Sequence, residues 1–176
     1  MASEWLDDPI HIREARSGEA EDLSDVAYRS KGYWGYNPET LDQWAGPLTV
    51  TEEYLEANPT FVAYEEDDEE RILGFCALLC DQGRWELDHM WVIPEAIGRG
   101  IGARLFLRAC EEAELLGASS LWILSDPSAE GFYKHMGAVR IDQQTTVVDG
   151  TERILPILSL RLTTEGPQDP VPHDPA

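Results

Sequence analysis

Residues 85–104, WELDHMWVIPEAIGRGIGAR, decide the fold of this chain. The apolar and aromatic residues that begin the stretch predict a β-strand, and the glycines at 98, 100 and 102 predict a loop that opens an amphipathic helix. Glycine has no Cβ, so such a loop can bring successive backbone N–H groups close to a ligand. Because a helix start also carries a partial positive charge, the sequence predicts an anion site that fits a diphosphate.

A simple strand-to-helix turn and a dinucleotide site are the two other interpretations of this loop. The dinucleotide pattern G-x-G-x-x-A is satisfied by the sequence Gly98-Arg99-Gly100-Ile101-Gly102-Ala103. Asp126 follows near the end of the next predicted strand. A dinucleotide fold, however, runs its first strand almost directly into the first glycine, whereas residues 94–97 intervene here. The residues after Asp126 are also too few for a second βαβ half, which argues against a nicotinamide or flavin site.

A second motif follows the predicted helix and strand, with the sequence SDPSAEGFYKHMGA at residues 125–138. The two stretches together resemble the two signatures of the GNAT superfamily, the acyl-CoA-dependent N-acyltransferases. In the second signature an Ala is followed by Phe-Tyr and then by Gly four residues after the Tyr. The chain departs from the family at Ile97, where Arg or Gln is usual, and at Asp126, where Asn is usual. A carboxylate beside an anionic cofactor is unfavourable unless it turns away or caps the helix at Ser128.

This resemblance implies an α/β (α+β) fold, a mixed, mostly antiparallel six- to seven-stranded sheet flanked by helices. Residues 1–162 are expected to form the single GNAT-like domain, and the proline-rich acidic tail at 163–176 is expected to be disordered. Ser17 and Asn37 are predicted to cap the first two helices, and Asp149-Gly150 to turn the last hairpin. Helices are predicted at about residues 18–31, 38–44, 51–57 and 100–116 and around Phe132, and strands at about 10–13, 60–65, 71–80, from 84, 121–124, 138–147 and 153–162.

The composition is strongly acidic, with 34 acidic against 13 basic residues and a net charge of -21. The acids are spread along the chain, which favours a surface adapted to a high-salt cytoplasm over one that attracts a cationic substrate, and nucleic acid binding is disfavoured. No long apolar run or signal peptide is evident, so we expect a cytoplasmic protein that does not bind membranes, with a homodimer left open. Cys76, Cys80 and Cys110 lie in apolar segments and are expected to be buried thiols, and no metal site is expected.

Acetyl transfer to an amine requires a neutral amine, a stabilised oxyanion and a protonated leaving thiolate. The resemblance implies that Tyr133 is the general acid toward the leaving sulfur, with Phe132 on the opposite side of the helix as the better core residue. Glu86, Asp88 and His89 are the candidates for the base. Glu86 and Asp88 share one face of the predicted strand, with His89 on the other unless a β-bulge resets the phase. Glu86 ranks first, because its place in the strand matches that of a base glutamate in some histone-acetylating relatives.

The resemblance also implies acetyl-CoA as co-substrate, held by the strand end and the glycine loop, with a backbone N–H of the strand for the oxyanion. The expected cofactor contacts are Met90, Trp91, Val92, Gly98, Arg99, Gly100, Ile101, Gly102, Ala103 and Asp126. Tyr33, Trp34 and Tyr36 either line an acceptor pocket or pack between helices. We therefore expect an N-acetyltransferase that acts on a primary amine of a small molecule by direct attack in a ternary complex. A protein or peptide amine acetyltransferase and a non-catalytic acyl-CoA-binding module are the alternatives.

Overall fold

A seven-stranded sheet forms the centre of the computed structural model, which describes residues 9–43 and 45–162. The strand order is β1-β2-β3-β4-β5-β7-β6, and β4 and β5 are the one parallel pair of neighbours in this described part. The strands are β1 (Ile10–Glu14), β2 (Thr60–Glu65), β3 (Asp68–Asp81), β4 (Arg84–Val92), β5 (Ser120–Leu124), β6 (Val139–Val148) and β7 (Thr151–Arg161). The mixed, mostly antiparallel sheet expected from the sequence is confirmed. The predicted tail at 163–176 lies outside the described residues.

Helices cover both faces of the middle of the sheet. The α-helices of the described residues are α1 (Ala20–Gly32), α2 (Pro38–Gln43), α3 (Ala45–Leu48), α4 (Glu52–Ala57), α5 (Ile101–Leu115) and α6 (Glu130–His135). Residues 72–78 of β3 are all buried, because α1 and α5 both pack against this strand. A strand covered on both faces reads as a continuous apolar run rather than an alternating one. Among these helices, none is long and apolar enough to cross a bilayer.

The long helix α5 lies between two glycines, as the sequence predicts. Gly100 is its N-cap with φ 76°, and Gly117, with φ 86°, follows its C-terminal end. Both angles lie in the left-handed region that favours glycine. Leu105, Ala109 and Ala113 are fully buried along one face of the helix. The predicted apolar face of α5 is therefore confirmed.

The start of α1 differs from the prediction. Ser17 does not cap the helix; instead the carboxylate of Glu52 accepts a hydrogen bond from the Gly18 N–H at 3.0 Å, and the Ser17 hydroxyl donates to the same carboxylate. Glu52 begins α4, far along the chain, so the local sequence gives no sign of this cap. Asn37 does cap α2 as predicted, and its Oδ1 accepts the Thr40 N–H at 2.8 Å.

A bulge in β4 changes which side chains face each side of the sheet. Ala77 of β3 pairs with His89, but the next residue, Leu78, pairs with Leu87. Asp88 is therefore the extra residue of β4. A bulge re-aims the side chains that follow it, and such sites are common next to active sites.

The two parallel strands at the centre of the sheet separate soon after they meet. Within the described residues, β4 and β5 share a single register pair, Glu86 with Trp122. The edge of β4 over residues 87–92 is consequently not paired with β5, and a wedge opens between the strands. On its other edge β4 approaches β3 closely at Gly74, which pairs with Val92.

The prediction of three buried thiols is wrong for Cys80. Cys76 and Cys110 are buried, whereas Cys80 is exposed. Cys76 and Cys80 share strand parity, but Cys80 lies near the end of β3, past the buried run that the helices cover. Parity along a strand therefore does not fix burial where the covering layer ends.

Candidate active site

A cavity of about 440 Å³ opens at the wedge between β4 and β5. Its walls come from the last residues of β4, the glycine loop, the starts of α5 and α6 and the end of α1. Of the expected cofactor contacts, Arg99 does not line it, and the others do: Met90, Trp91, Val92, Gly98, Gly100, Ile101, Gly102, Ala103 and Asp126. The volume suits a small-molecule site, since such sites span about 300–1,000 Å³.

The glycine loop supplies the backbone donors of the cavity. Gly98 and Gly100 have φ angles of 86° and 76°, and a Cβ at either position would meet no atom within 4 Å. These glycines are therefore required by the turn of the chain and leave open space above it. Among residues 9–43 and 45–162 no side chain caps α5, which leaves the first N–H groups of the helix available to an anion. Arg99 turns away and donates to Glu65 at 2.7 Å.

Tyr133 lies at the wall of the cavity, and here the prediction about α6 needs correction. Phe132 was expected to be the core residue, but Tyr133 is buried, Phe132 is half-buried, and both line the cavity. Both rings contact Phe106 of α5, so this short helix is covered on more than one side. The Tyr133 hydroxyl makes no hydrogen bond to the described residues. Burial raises the pKa of Tyr133 far above its usual value, which keeps the phenol protonated.

Asp88 of the bulge is the acidic residue of β4 that lines the cavity. Its Oδ2 accepts a hydrogen bond from the Tyr54 hydroxyl at 2.6 Å. His89 lies beside it, with Nε2 3.7 Å from the same oxygen. Burial lowers the pKa of His89, and its Nδ1 accepts the Trp91 indole N–H at 3.0 Å, so the neutral ring carries its proton on the nitrogen that faces Asp88. The Nε2–H lies beside Asp88 but too far from it for a hydrogen bond, and the Nδ1 lone pair is already taken by Trp91.

Glu86, the other acid considered for the base, lies outside the cavity lining. Its Oε1 accepts a hydrogen bond from the Arg84 Nε at 2.8 Å. The Arg84 guanidinium also lies over the Trp122 ring, 4.5 Å from its centroid. Glu86 is therefore held on the surface of the sheet beside β5 in an ion pair.

Asp126 is the centre of a polar cluster at the cavity wall. Its Oδ2 accepts from Lys31 Nζ at 2.7 Å, from the Tyr36 hydroxyl at 3.0 Å and from Arg153 Nη2 at 2.9 Å. Its Oδ1 caps the 3₁₀ helix Pro127–Ala129 by accepting the Ser128 N–H at 3.0 Å, as the sequence suggested it could. Burial alone would raise the pKa of Asp126, but the hydrogen bonds from Lys31 and Ser128 outweigh it and hold the pKa far below its usual range.

The three aromatic residues after α1 have different surroundings. Trp34 lines the cavity with half of its surface exposed, and Tyr33 packs edge-on against Trp34 but does not line the cavity. Tyr36 bonds to Asp126, and burial together with this contact raises the pKa of Tyr36 to about 12. Within this loop Trp34 therefore forms part of the cavity wall, whereas Tyr36 attaches the loop to Asp126.

Sequence reasoning missed Tyr54, Lys31 and Arg153. Lys31 and Arg153 reach Asp126 from α1 and β7, and Tyr54 reaches Asp88 from α4. These partners lie 27 to 95 residues apart in the chain. The one sequence signal was the rarity of lysine, which the chain has only at Lys31 and Lys134.

Comparisons with known proteins agree with this geometry. The family model described as the Acetyltransferase (GNAT) family matches residues 21–138. No curated protein matches the sequence significantly.

Several solved structures share the fold at low sequence identity. The PaiA N-acetyltransferase of Thermoplasma acidophilum, solved with coenzyme A, is 20% identical with a TM-score of 0.68, over 86% of this chain and 98% of that one. YncA of Salmonella typhimurium, solved with its cofactor acetyl-CoA, is 16% identical with a TM-score of 0.66, over 92% and 99%. The ribosomal-protein-S18-alanine N-acetyltransferase of Escherichia coli is 17% identical with a TM-score of 0.65, over 90% and 97%.

Proposed function

Because the chain belongs to the Acetyltransferase (GNAT) family, we propose that it transfers an acetyl group from acetyl-CoA to a primary amine of a small molecule in a ternary complex. It is an acyl-CoA-dependent acetyltransferase by family; the acceptor and the residues that act on it are the proposal. The observation that carries the proposal is a single cavity that contains the glycine loop, a buried phenol and an acidic residue. Donor, acid and base thereby have a common site.

The backbone around the wedge would hold the donor. The N–H groups at residues 98–103 would bind the diphosphate, and the loss of the family's usual side chain at Ile97 leaves this contact to the main chain. The free edge of β4 at Met90 to Val92 would pair with the amides of the pantetheine arm, as an added strand would. When bound there, acetyl-CoA supplies an acetyl thioester.

Asp88 and Tyr133 would carry the two proton transfers. Asp88 would accept a proton from the ammonium form of the acceptor, directly or through water. The neutral amine that results has a free lone pair and can attack the thioester. An N–H on the free edge of β4 would stabilise the charge that develops on the thioester oxygen. Tyr133, which burial keeps protonated, would give its proton to the sulfur as the C–S bond breaks. The phenolate would then take up the second proton that the nitrogen loses as it becomes the amide, directly or through water.

Trp34 and the size of the cavity support a small acceptor. The indole forms part of the cavity wall on the side of α1, next to Ser30 and Lys31. The cavity of about 440 Å³ must also hold the acyl end of the donor, which leaves room for a compact amine. A protein acceptor would instead have to insert an extended end past this loop.

An amine panel tests the proposal directly. The protein is incubated with acetyl-CoA and one of two sets of acceptors. The first set contains small primary amines, polyamines and amino acids, and the second contains peptides with free N-termini and lysines. Thiol release and acetylated products are measured in both. We expect turnover with at least one small amine. Turnover with peptides alone would make the protein a peptide acetyltransferase. Saturable CoA binding without turnover of any amine would indicate a binding module.

Replacing Asp88 with Asn should lower kcat/KM at neutral pH by about 100-fold, the usual scale of a lost general base. The loss should shrink as the pH approaches the pKa of the acceptor amine, about 10 for an alkylamine, because the amine then loses its proton to the solvent. The measurement is a pH profile of kcat/KM. Glu86→Gln is the matched change on the same strand: a loss confined to that variant would make Glu86 the base.

Replacing Gly100 with Ala should weaken CoA binding about tenfold, because the new side chain disfavours the left-handed backbone that presents the N–H groups. Gly117→Ala is the matched control at the other end of α5, with φ 86° and no atom within 4 Å of an added Cβ. Both variants should lose about 1 kcal/mol of stability. Titration calorimetry with CoA separates the two effects, and equal affinities in both variants would remove the glycine loop from the donor site.

A further inference from the structure

Asp126 lies where three segments of the chain meet at the cavity wall. It follows β5, and the donors to its Oδ2 come from Lys31 in α1, Tyr36 after α1 and Arg153 in β7. We propose that Asp126 is a positioning residue that holds the acceptor loop, residues 33–37, in place beside the cavity. The proposal rests on the function proposed above, because it assigns this loop to the acceptor rather than to the donor.

The carboxylate of Asp126 has no capacity left for a substrate. Ser128 donates to Oδ1 from its N–H at 3.0 Å and from its hydroxyl at 2.7 Å, and three further donors share Oδ2. A carboxylate offers about four lone-pair sites, so five donors saturate it. Asp126 is therefore neither a base nor an acceptor for groups of the donor, although it lines the cavity.

The charge of Asp126 is matched to its two cationic partners. An Asn at this position would offer one acceptor oxygen, which could not serve both the Ser128 N–H and the pair of Lys31 and Arg153. Asp126 accepts from both, and the side chains of all three are largely buried, with 12% to 19% of their surface exposed. The negative charge of Asp126 is therefore balanced by the two cations that contact it.

Tyr36 connects Asp126 to the loop on the acceptor side of the cavity. Its hydroxyl donates to Asp126 and accepts a hydrogen bond from Arg153, and Lys31 Nζ lies 4.8 Å from the centroid of its ring. Trp34, which lines the cavity, is only two residues away across Gly35, whose φ of 84° makes the turn. Loss of the Asp126 charge would weaken the contacts that join Lys31, Arg153 and Tyr36 at this carboxylate, so the loop that carries Trp34 would be held less firmly.

Steady-state kinetics of Asp126→Asn test the proposal. We expect the KM for the acceptor to rise about tenfold, with the KM for acetyl-CoA within about twofold of the wild type. Glu19→Gln is the matched control, because it breaks another largely buried ion pair, with Arg13 at 2.6 Å, away from the cavity. The control should lose stability without a change in either KM. A rise in the KM for acetyl-CoA alone would make Asp126 a donor contact and overturn the proposal.

Hydrogen exchange gives a measurement that does not require turnover. The backbone amides of residues 33–37 should exchange about tenfold faster in Asp126→Asn than in the wild type. In Glu19→Gln their exchange rates should equal those of the wild type. If no amine is acetylated, the proposed function is wrong, but the exchange rates still show whether Asp126 holds residues 33–37 in place. Unchanged exchange in Asp126→Asn would show that the loop does not depend on this residue.

A double-mutant cycle tests whether Tyr36 is the link. Tyr36→Phe removes the hydroxyl and should raise the acceptor KM several-fold. In the Asp126→Asn background it should add less than about twofold, since residues that act through one contact are not additive. Full additivity of the two changes would refute the coupling between Asp126 and the loop.

Discussion

Replacing Tyr133 with Phe lowers kcat by about 100-fold and leaves CoA affinity within about twofold; this is the result we expect from the loss of a general acid. The ring itself is packed against Phe106 and Phe132, and Phe can keep these contacts. The change therefore removes the hydroxyl and little else. Because that hydroxyl has no hydrogen-bond partner among the described residues, its loss should cost little stability.

The raised pKa of Tyr133 bears on the protonation state of the phenol in the resting protein. Burial raises it well above that of a free tyrosine, so the phenol stays protonated through neutral and mildly alkaline pH. The wild type should accordingly show no fall in kcat below about pH 10 that depends on this residue. Stopped-flow or steady-state thiol release at several pH values measures this.

Tyr64→Phe is a suitable control, because it removes a tyrosine hydroxyl away from the cavity, where the ring packs against His11. Its kcat should equal that of the wild type. If Tyr133→Phe also retained full kcat, Tyr133 would be a packing residue, and solvent or the substrate would protonate the sulfur.

Replacing Gly74 with Ala should lower the free energy of unfolding by about 3 kcal/mol, a large cost for one methyl group. A Cβ at this position would lie 2.6 Å from the Trp91 carbonyl oxygen and 3.2 Å from the Val92 Cα. These are backbone atoms, which cannot rotate away as the end of a side chain can. The two strands must therefore separate, and urea unfolding curves measure the cost.

The same change should also weaken binding of the donor, because residues 91 and 92 form the β4 edge that we assign to the pantetheine arm. We expect the KM for acetyl-CoA to rise about fivefold in whatever fraction remains folded. Gly46→Ala is the control: an added Cβ meets nothing within 4 Å, and Ala favours a helix, so stability should stay level or rise slightly. Wild-type stability in Gly74→Ala would show that β3 and β4 have room to adjust.

The sequence predicts well those features that depend on neighbouring residues. The glycines around α5, the Asn37 cap and the Asp149-Gly150 hairpin each require a particular backbone conformation, and the local sequence states that requirement. Each is present in the structure where the sequence puts it. The order of the two motifs likewise indicates the family, which the match over residues 21–138 confirms.

The features that could not be predicted depend on contacts between distant segments. The bulge at Asp88 follows from the register of β3 against β4, and it resets the alternation of β4 so that His89 lies beside Asp88. The cap of α1 by Glu52 and the cations around Asp126 join residues far apart in the chain. The orientation of Tyr133 depends on how α5 and α6 pack together. The surroundings of Asp88 and of residues 33–37 therefore depend on contacts that the local sequence does not state, whereas the turn at Gly98 and Gly100 does not.

The burial of Lys31 has a chemical consequence for an enzyme that handles an activated acyl group. An unprotected lysine at the cavity could attack the thioester and leave the protein permanently modified. Burial lowers the pKa of Lys31, but the Asp126 carboxylate at 2.7 Å opposes this shift and favours the ammonium, which is not a nucleophile. Lys134, the other lysine of the chain, lies outside the cavity lining, where it pairs with Glu130 at 3.0 Å and has about half of its side chain exposed. The chain thus keeps its inner lysine from becoming its own substrate.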